Sequence, residues 1–588
     1  MLARRGGVGV GVVLLLFLRT VGGVSVVVGS FAARGHIQPM LPIGALLCAQ
    51  GHDVRIAVPT SYTKYVAEWW SSARAHYASC DDARFAVIDA GAGPTVKTMP
   101  RCDRSGCKIG EWSGATGAAS LSSGMYDALM PAMRASPPDI VVADFMTWGL
   151  QDVGDALGVP VVLVQIFAGF AAGGALARPV QYSGYTLGDV DSTAWRDPGA
   201  LLRRVVNCAL PAIQWLIKRP LLWELNALRR ARSLAPMRGI PGFDHGTAPP
   251  RAVIVATAFG FEVAALHSPL VTYVGPLLTP VAADAHGALL PHGSALRAWL
   301  DDAERAQQHV VLVAFGSRVD VDPRRYSMLH RAFLRAVCGG DGDGAGRGGE
   351  GGERAAKFRV LLVMRKEERD GITRGGVHSC GGALRLATFP IAQRAVLRHP
   401  ALGAFVSHGG VNGVFEAIDA RVPLVVAPFD FDQADNAARV ADSGVGLRAG
   451  NGLVWSGADI VRAMETIVFA SPAEASARAA QIDRVRRLGL HAGGAEAAAR
   501  RVLHVAEFGI EHLVPPQWRA EEEASGSFLK WLARANVDVA LLAAGVAYAF
   551  SRAPSLCLLV ISLAWAATLH YGAGKVMGGW PMPGPPLE

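Results

Sequence analysis

The chain has 588 residues, 51% of them hydrophobic, and a formal net charge of +8. That length exceeds what one core organises and fits two α/β domains with appendages, while the hydrophobic share directs attention to membrane segments. The basic charge is dispersed, with no basic block interleaved with aromatics, so nucleic acid is set aside as a partner; a mild positive potential suits anionic nucleotides and anionic membrane surfaces.

Arg4 and Arg5 precede an apolar run, Gly6 to Leu18, about the length of a signal-peptide core. Residues 1–23 therefore read as a signal peptide, the competing reading being a frayed apolar tail before the first strand. Short β-branched runs follow at Val24 to Phe31, Asp53 to Val58, Phe85 to Ile88, Ile140 to Ala143, Val159 to Gln165, Ala252 to Thr257 and Val271 to Val274. Helix-patterned segments, notably Pro39 to Gln50 and Leu150 to Leu157, separate several of them, which predicts a parallel sheet with crossover helices. His36 then falls on the loop at the carboxyl end of the first strand, where open α/β sheets bind ligands. A histidine there can take a proton from a hydroxyl; the plainer reading is a turn histidine capping a helix that Pro39 begins. Asp144 ends another strand at the same edge and can fix the far imidazole nitrogen, or simply cap the helix near Trp148.

Residues 277–293, with Pro280 and Pro291, read as a hinge between a domain over 24–276 and one over 294–515. In the second half the pattern repeats at His309 to Phe315, Phe358 to Met364, Leu384 to Thr388, Ala404 to Ser407 and Leu424 to Ala427. A Gly-rich, charged run from Gly339 to Arg354 cannot bury a core and reads as a surface insertion. The fourth of these strands turns through His408-Gly409-Gly410 into a helix-compatible segment, leaving backbone N–H groups at the positive end of a helix dipole, ready for phosphate. Glu416 lies four residues after Asn412 on one helix face, a placement that suits ribose hydroxyls. Asp432 and Gln433 follow the next strand and offer an acceptor and an amide to sugar hydroxyls.

Beyond these domains, residues 537–571 hold two apolar runs, Val537 to Phe550 and Ser555 to Leu569, broken near Pro554. They fit one tilted membrane span or a hairpin of two short helices. The eight cysteines show no zinc spacing. Cys102 and Cys107 are a candidate pair if the domain is luminal, with Cys80 as a rival partner, against free and partly buried thiols.

The run His408-Gly-Gly-x-Asn-Gly-x-x-Glu-Ala-Ile418, with Gln393 and His399-Pro400 before it and Pro423, Pro428, Asp432, Gln433, Asp435 and Asn436 after it, resembles the nucleotide-sugar signature of the UDP-glycosyltransferase family, and most the animal UDP-glucuronosyltransferases. The family usually opens this signature with an aromatic on which uracil stacks; here Phe389 stands one place earlier, leaving backbone groups of Pro390 to Ala392 to read the base. Gly35-His36-x-x-Pro39 resembles the family's catalytic-base loop and Val142-Ala-Asp144 its carboxylate-bearing strand. Val313-Ala-Phe-Gly-Ser317 looks like the strand whose turn approaches the phosphates.

The resemblance implies two doubly wound lobes facing across a cleft, the GT-B fold, with an acceptor-binding first lobe, a UDP-sugar-binding second lobe closed by a crossover helix, and a C-terminal anchor holding a luminal enzyme in an endoplasmic reticulum or other secretory-pathway membrane. It implies His36 as base, Asp144 as its partner, and Ser317, Gln393, His408, Gly409, Gly410, Asn412, Glu416, Asp432 and Gln433 as donor contacts. The expected reaction is inverting, metal-independent transfer of glucuronic acid or glucose from a UDP-sugar to a hydroxyl of a small lipophilic acceptor, with the UDP-sugar as donor substrate and no other cofactor. A homo-oligomer is compatible with it.

Two rivals stand beside this reading. A metal-dependent transferase would use an Asp-x-Asp pair such as Asp189/Asp191, Asp320/Asp322, Asp341/Asp343 or Asp430/Asp432. The other is a non-catalytic membrane protein that binds a nucleotide sugar or a lipid.

Overall fold

The computed structural model describes residues 23–92, 118–166, 219–241, 250–262, 267–279, 290, 293–316, 323–338, 358–373, 380–429, 432–450 and 455–514. The candidate signal peptide before Gly23, Ser317, most of the hinge, the 339–354 insertion, Cys102 and Cys107, and the 537–571 segment lie outside them, as do the first three Asp-x-Asp pairs and Asp430.

Within residues 23–513 the chain builds two sheets. β1 (Ser25–Gly29), β2 (Asp53–Val58), β3 (Phe85–Asp89), β4 (Ile140–Asp144), β5 (Val161–Gln165), β6 (Ala252–Val255) and β7 (Val271–Tyr273) form the first, in the order β3-β2-β1-β4-β5-β6-β7. β8 (His309–Ala314), β9 (Phe358–Met364), β10 (Leu384–Thr388), β11 (Leu402–Ser407), β12 (Leu424–Val426) and β13 (Gly446–Arg448) form the second, in the order β10-β9-β8-β11-β12-β13. Every pairing is parallel. The sequence reading holds for twelve of these strands; β13, three residues long, is the one it missed, being too short to show a period.

Parallel sheets need cover on both faces, and the strands are apolar on both. Val26 and Val28 pack into one cluster and Val27 into the opposite one. In the second sheet Val310 and Leu312 point to one face, Val311 and Val313 to the other. This alternation is the two-residue period of a strand, buried on either side.

The helix Gly494–Phe508, far along the sequence, returns to the first sheet. Its Ala498, Ala499, Val502 and Val505 are buried in the cluster that holds Val26, Val28, Ile37 and Met40. Gly494 N–H bonds to the carbonyl of Val274 at 2.6 Å. Conversely Phe261, just after β6, packs among second-sheet residues and meets Phe415 edge-on at 5.1 Å. Leu277 belongs to the first core and Leu290 to the second.

Two disulfides are present among the described residues, Cys48–Cys80 and Cys338–Cys380. The first corrects the expectation that Cys80 competes for Cys102 or Cys107. Cys48 closes the helix Arg34–Ala49, which folds back beside the segment carrying Cys80, an adjacency that spacing alone does not encode. No helix of the described residues is long and apolar enough to cross a membrane.

Because Val502 lies wholly inside the first core, Val502→Ala should lower stability by about 1–3 kcal/mol. Thermal unfolding against the wild type reads it.

Candidate active site

In each sheet the strand order reverses beside the first strand, between β1 and β4 and between β8 and β11. Loops leaving such neighbours turn in opposite directions and open a crevice at the carboxyl edge. The carboxyl ends of these four strands lead to His36, Asp144, Gly316 and His408.

In the first lobe, His36 Nδ1 lies 2.8 Å from Asp144 Oδ2. The other Asp144 oxygen accepts from the Met146 N–H at 3.0 Å, and the carboxylate is buried. The helix Trp148–Leu157 is capped at Thr147, so Asp144 is not its cap; its second oxygen holds the turn that leads into that helix. Phe31 and Phe145 flank the imidazole, at 4.5 and 5.8 Å between centroids, and Phe31 N–H is tied to Thr147 Oγ1 at 3.1 Å. The ring is thus locked through one nitrogen, which leaves Nε2 as the atom able to take a proton.

One expectation is corrected here. The helix starts at Arg34, with Pro39 and Pro42 inside it, so His36 sits in its first turn rather than on a preceding loop. Its backbone N–H bonds to the carbonyl of Ala33 at 2.9 Å. Proline commonly marks a helix start, but it also fits inside a helix where the carbonyl it deprives finds another donor.

In the second lobe, Gly410 caps the helix Val411–Asp419, and Gly409 holds a φ of +91°, a conformation that favours glycine. Gly316 has a φ of +73°; a Cβ there would come within 2.8 Å of Cε1 of His408, and one on Gly410 would collide with Nε2. The imidazole is therefore packed against two glycine backbones. Full burial drops the His408 pKa to about 4, so the ring is neutral near neutral pH. Its Nδ1 is buried with no hydrogen-bond partner, a vacancy of the kind that points to a ligand.

Around this turn, Gln393 Nε2 donates to Glu416 Oε2 at 2.7 Å. Gln433 accepts through Oε1 from the Phe429 N–H at 2.8 Å. Asn436 Nδ2 bonds to both Gly409 O and Asp432 Oδ2 at 2.8 Å. Asn436 thus pins the glycine turn to the Asp432 carboxylate. Burial pushes the Asp432 carboxyl up, opposed by the Asn436 hydrogen bond and by the charges of Arg439 and His36.

Among the described residues, polar contacts cross between lobes close to these turns. Asn412 Nδ2 donates to Gly35 O at 2.8 Å. Arg439 Nε lies 2.7 Å from Glu262 Oε2, with both side chains almost wholly buried. Sequence reading missed Glu262, Arg439 and the Gly35 contact. Nothing periodic links these positions, and a charge on an α/β loop or helix is ordinarily a solvated one. A small apolar pocket lined by Phe31, Met125, Met146, Thr147 and Trp148 opens next to the His36 pair. The sequence-predicted residues His36, Asp144, Gln393, His408, Gly409, Gly410, Asn412, Glu416, Asp432 and Gln433 are thus described, and Ser317 lies one residue beyond Gly316, outside the described residues.

The two-lobed fold is shared with solved structures. The calicheamicin glycosyltransferase CalG4 superposes with a TM-score of 0.52 at 19% identity, over 82% of this chain and 99% of that one. Os79 from O. sativa, in complex with U2F and trichothecene, gives 0.51 at 18% identity over 82% and 99%. Residues 384–473 match the family model described as UDP-glucoronosyl and UDP-glucosyl transferase.

UDP-glucuronosyltransferase 2B10 of Homo sapiens is 38% identical over 78 residues, 13% of this chain and 15% of that protein. Anthocyanidin 3-O-glucoside 5-O-glucosyltransferase 1 of Perilla frutescens is 30% identical over 178 residues, 29% and 34% of the two chains. UDP-glycosyltransferase stmC of Aspergillus ustus is 28% identical over 213 residues, 34% and 36%. The chain aligns with well under half the length of each of these relatives. Over residues 384–473 the chain is similar to the UDP-glycosyltransferase family.

Removing one partner of the Glu262–Arg439 pair leaves a buried charge uncompensated. Glu262→Ala or Arg439→Ala should cost about 3–5 kcal/mol, whereas the double replacement by Met and Leu costs far less; denaturant unfolding distinguishes them. The His408 ring also links stability to pH. Its pKa is about 4 in the folded chain against the ordinary 6.5, so between these values the unfolded chain binds the proton and the folded chain does not. Stability present above pH 6.5 is therefore lost as pH falls toward 4, by about 3 kcal/mol in all. His408→Gln should lose less over the same window when unfolding is measured at pH 7 and 4.5.

Proposed function

We propose that this protein transfers a sugar from a UDP-sugar to a hydroxyl of a small apolar acceptor, with inversion and without a metal ion. The observation that carries the reading is the placement of two histidines of opposite character beside the Asn412–Gly35 contact. His36 is braced by Asp144 at 2.8 Å, and His408 is buried neutral between glycines with an orphaned Nδ1.

The acceptor hydroxyl gives its proton to His36 Nε2 as its oxygen bonds to the anomeric carbon. Asp144 stabilises the resulting imidazolium. The bond from that carbon to the β-phosphate oxygen breaks, and its electron pair leaves on UDP. His408 and the amides around Gly409 and Gly410 receive the charge that develops there. Glu416, oriented by Gln393, suits the ribose, and Asp432 with Gln433 suits the sugar hydroxyls. Ser317 follows Gly316 and is assigned to the phosphates.

The donor is glucuronic acid or glucose, in line with matched relatives named as glucuronosyl- and glucosyltransferases. A secretory-pathway membrane location, with residues 537–571 as anchor and 1–23 as signal, is supported by the apolar composition of those segments and by the buried Cys48–Cys80 disulfide, a bond that persists in oxidising compartments.

His36→Ala should reduce transfer by about 10²-fold or more while leaving UDP affinity unchanged. Product analysis should give a β-linkage from an α-linked donor, and chelator should leave the rate intact. Unchanged turnover in the variant, or a retained α-linkage, overturns the mechanism.

A further inference from the structure

We propose that Asn412 is a positioning residue that holds the base-bearing helix against the nucleotide lobe, and that Pro39 creates the acceptor it uses. The inference rests on the proposed transferase reading for its kinetic part and on geometry alone for the rest.

In an α-helix the carbonyl of residue i accepts the N–H of residue i+4. For Gly35 that donor would be residue 39, and Pro39, inside the helix Arg34–Ala49, has no N–H to give. A helical carbonyl deprived in this way is an open acceptor one residue before His36. Asn412 fills it, with Nδ2 at 2.8 Å from Gly35 O. Asn412 is the second residue of the helix Val411–Asp419, four positions after His408, so the bond joins the phosphate-facing turn of one lobe to the first turn that carries the base of the other.

The chemistry selects the residue. Aspartate at this position presents lone pairs to a carbonyl and repels it, and alanine leaves the acceptor without this partner. A Cβ on Gly35 would sit 3.7 Å from Nδ2, an ordinary contact, so space alone does not decide the pairing. Of the two hydrogens the amide carries, one is held by the carbonyl of Gly35. His36 is fixed within its own lobe by Asp144. Its position relative to a donor held in the other lobe is set by bonds that cross the cleft, and Asn412 makes the crossing bond nearest to it in sequence.

The test uses the full chain. Asn412→Ala and the near-isosteric Asn412→Asp should each lower kcat by roughly 10- to 100-fold, with the calorimetric Kd for UDP changed by no more than about threefold. Amide hydrogens in the first turn of Arg34–Ala49 should exchange faster in both variants. Pro39→Ala supplies the missing N–H within the helix, so in that background Asn412→Ala should cost far less than it does in the wild type, a non-additivity that marks a shared acceptor.

A loss of UDP affinity that tracks the loss of turnover would make Asn412 a simple phosphate ligand and overturn the proposal. So would additive effects of Pro39→Ala and Asn412→Ala, or unchanged exchange in the first turn. If the wild type transfers nothing from any UDP-sugar, the functional reading fails by itself, and the exchange and non-additivity measurements still decide the positioning role.

Discussion

The site depends on keeping two crevices in register. Each parallel sheet opens its own crevice where the strand order reverses, between β1 and β4 and between β8 and β11, but a reaction between a donor and an acceptor needs both to share one cleft. Polar contacts between the lobes beside the site include the Glu262–Arg439 ion pair and the Asn412–Gly35 hydrogen bond. Apolar packing supports them from behind, through Phe261 on Phe415 and through the helix Gly494–Phe508 buried on the first sheet. A buried ion pair contributes little net stability over an apolar pair of the same volume. Its directionality, however, restricts how the lobes can be apposed, which apolar contact between Phe261 and Phe415 does not.

Much of this was legible in the sequence because parallel strands buried on both faces leave strong local marks. Runs such as Val26-Val27-Val28 and Val310-Val311-Leu312-Val313 are apolar without alternation, and each is followed by glycine or histidine where the crevice forms. His36, Asp144 and the His408-Gly409-Gly410 turn were found in this way, from their place at strand ends. The contacts between lobes were not, since they join residues that no local period connects. Glu262 lies after β6 and Arg439 within the helix Gln433–Asp442, and only the closed fold shows both buried. Pro39 misled for a different reason: its local signature as a helix start is sound, and the contact that lets it sit inside the helix belongs to the other half of the chain. The Cys48–Cys80 pairing was hidden likewise, because the return of the chain after the second helix brings the sulfurs together.

The pattern of hydrogen bonds around the glycine turn has a consequence for rigidity. Gly409 donates its N–H to Ser407 Oγ at 3.2 Å and accepts through its carbonyl from Asn436. A residue at φ +91° is held there by bonds on both sides, so the following helix begins at a fixed place. Backbone amides that are to stabilise charge gain from such fixing, because reorientation during the reaction would reduce the stabilisation they give. Asn436 links this turn to Asp432 as well, which couples the geometry of the glycine turn to that of the carboxylate.

The two histidines show how burial divides labour between chemically identical side chains. His36 is given a carboxylate partner and retains partial solvent exposure, 13% of its side chain, so a positive charge formed on it has both a counter-charge and water to stabilise it. His408 is given neither. It is enclosed by glycine backbones, its charged form is disfavoured by desolvation, and its pKa falls to about 4. A neutral ring donates through one nitrogen only, which suits it to meet an anion without itself entering proton transfer while the site is empty. An anion placed beside Nδ1 would favour the protonated ring, and the same desolvation that keeps it neutral would strengthen that attraction. The fold therefore gives the two imidazoles different surroundings, one with a carboxylate partner and some solvent, the other with neither.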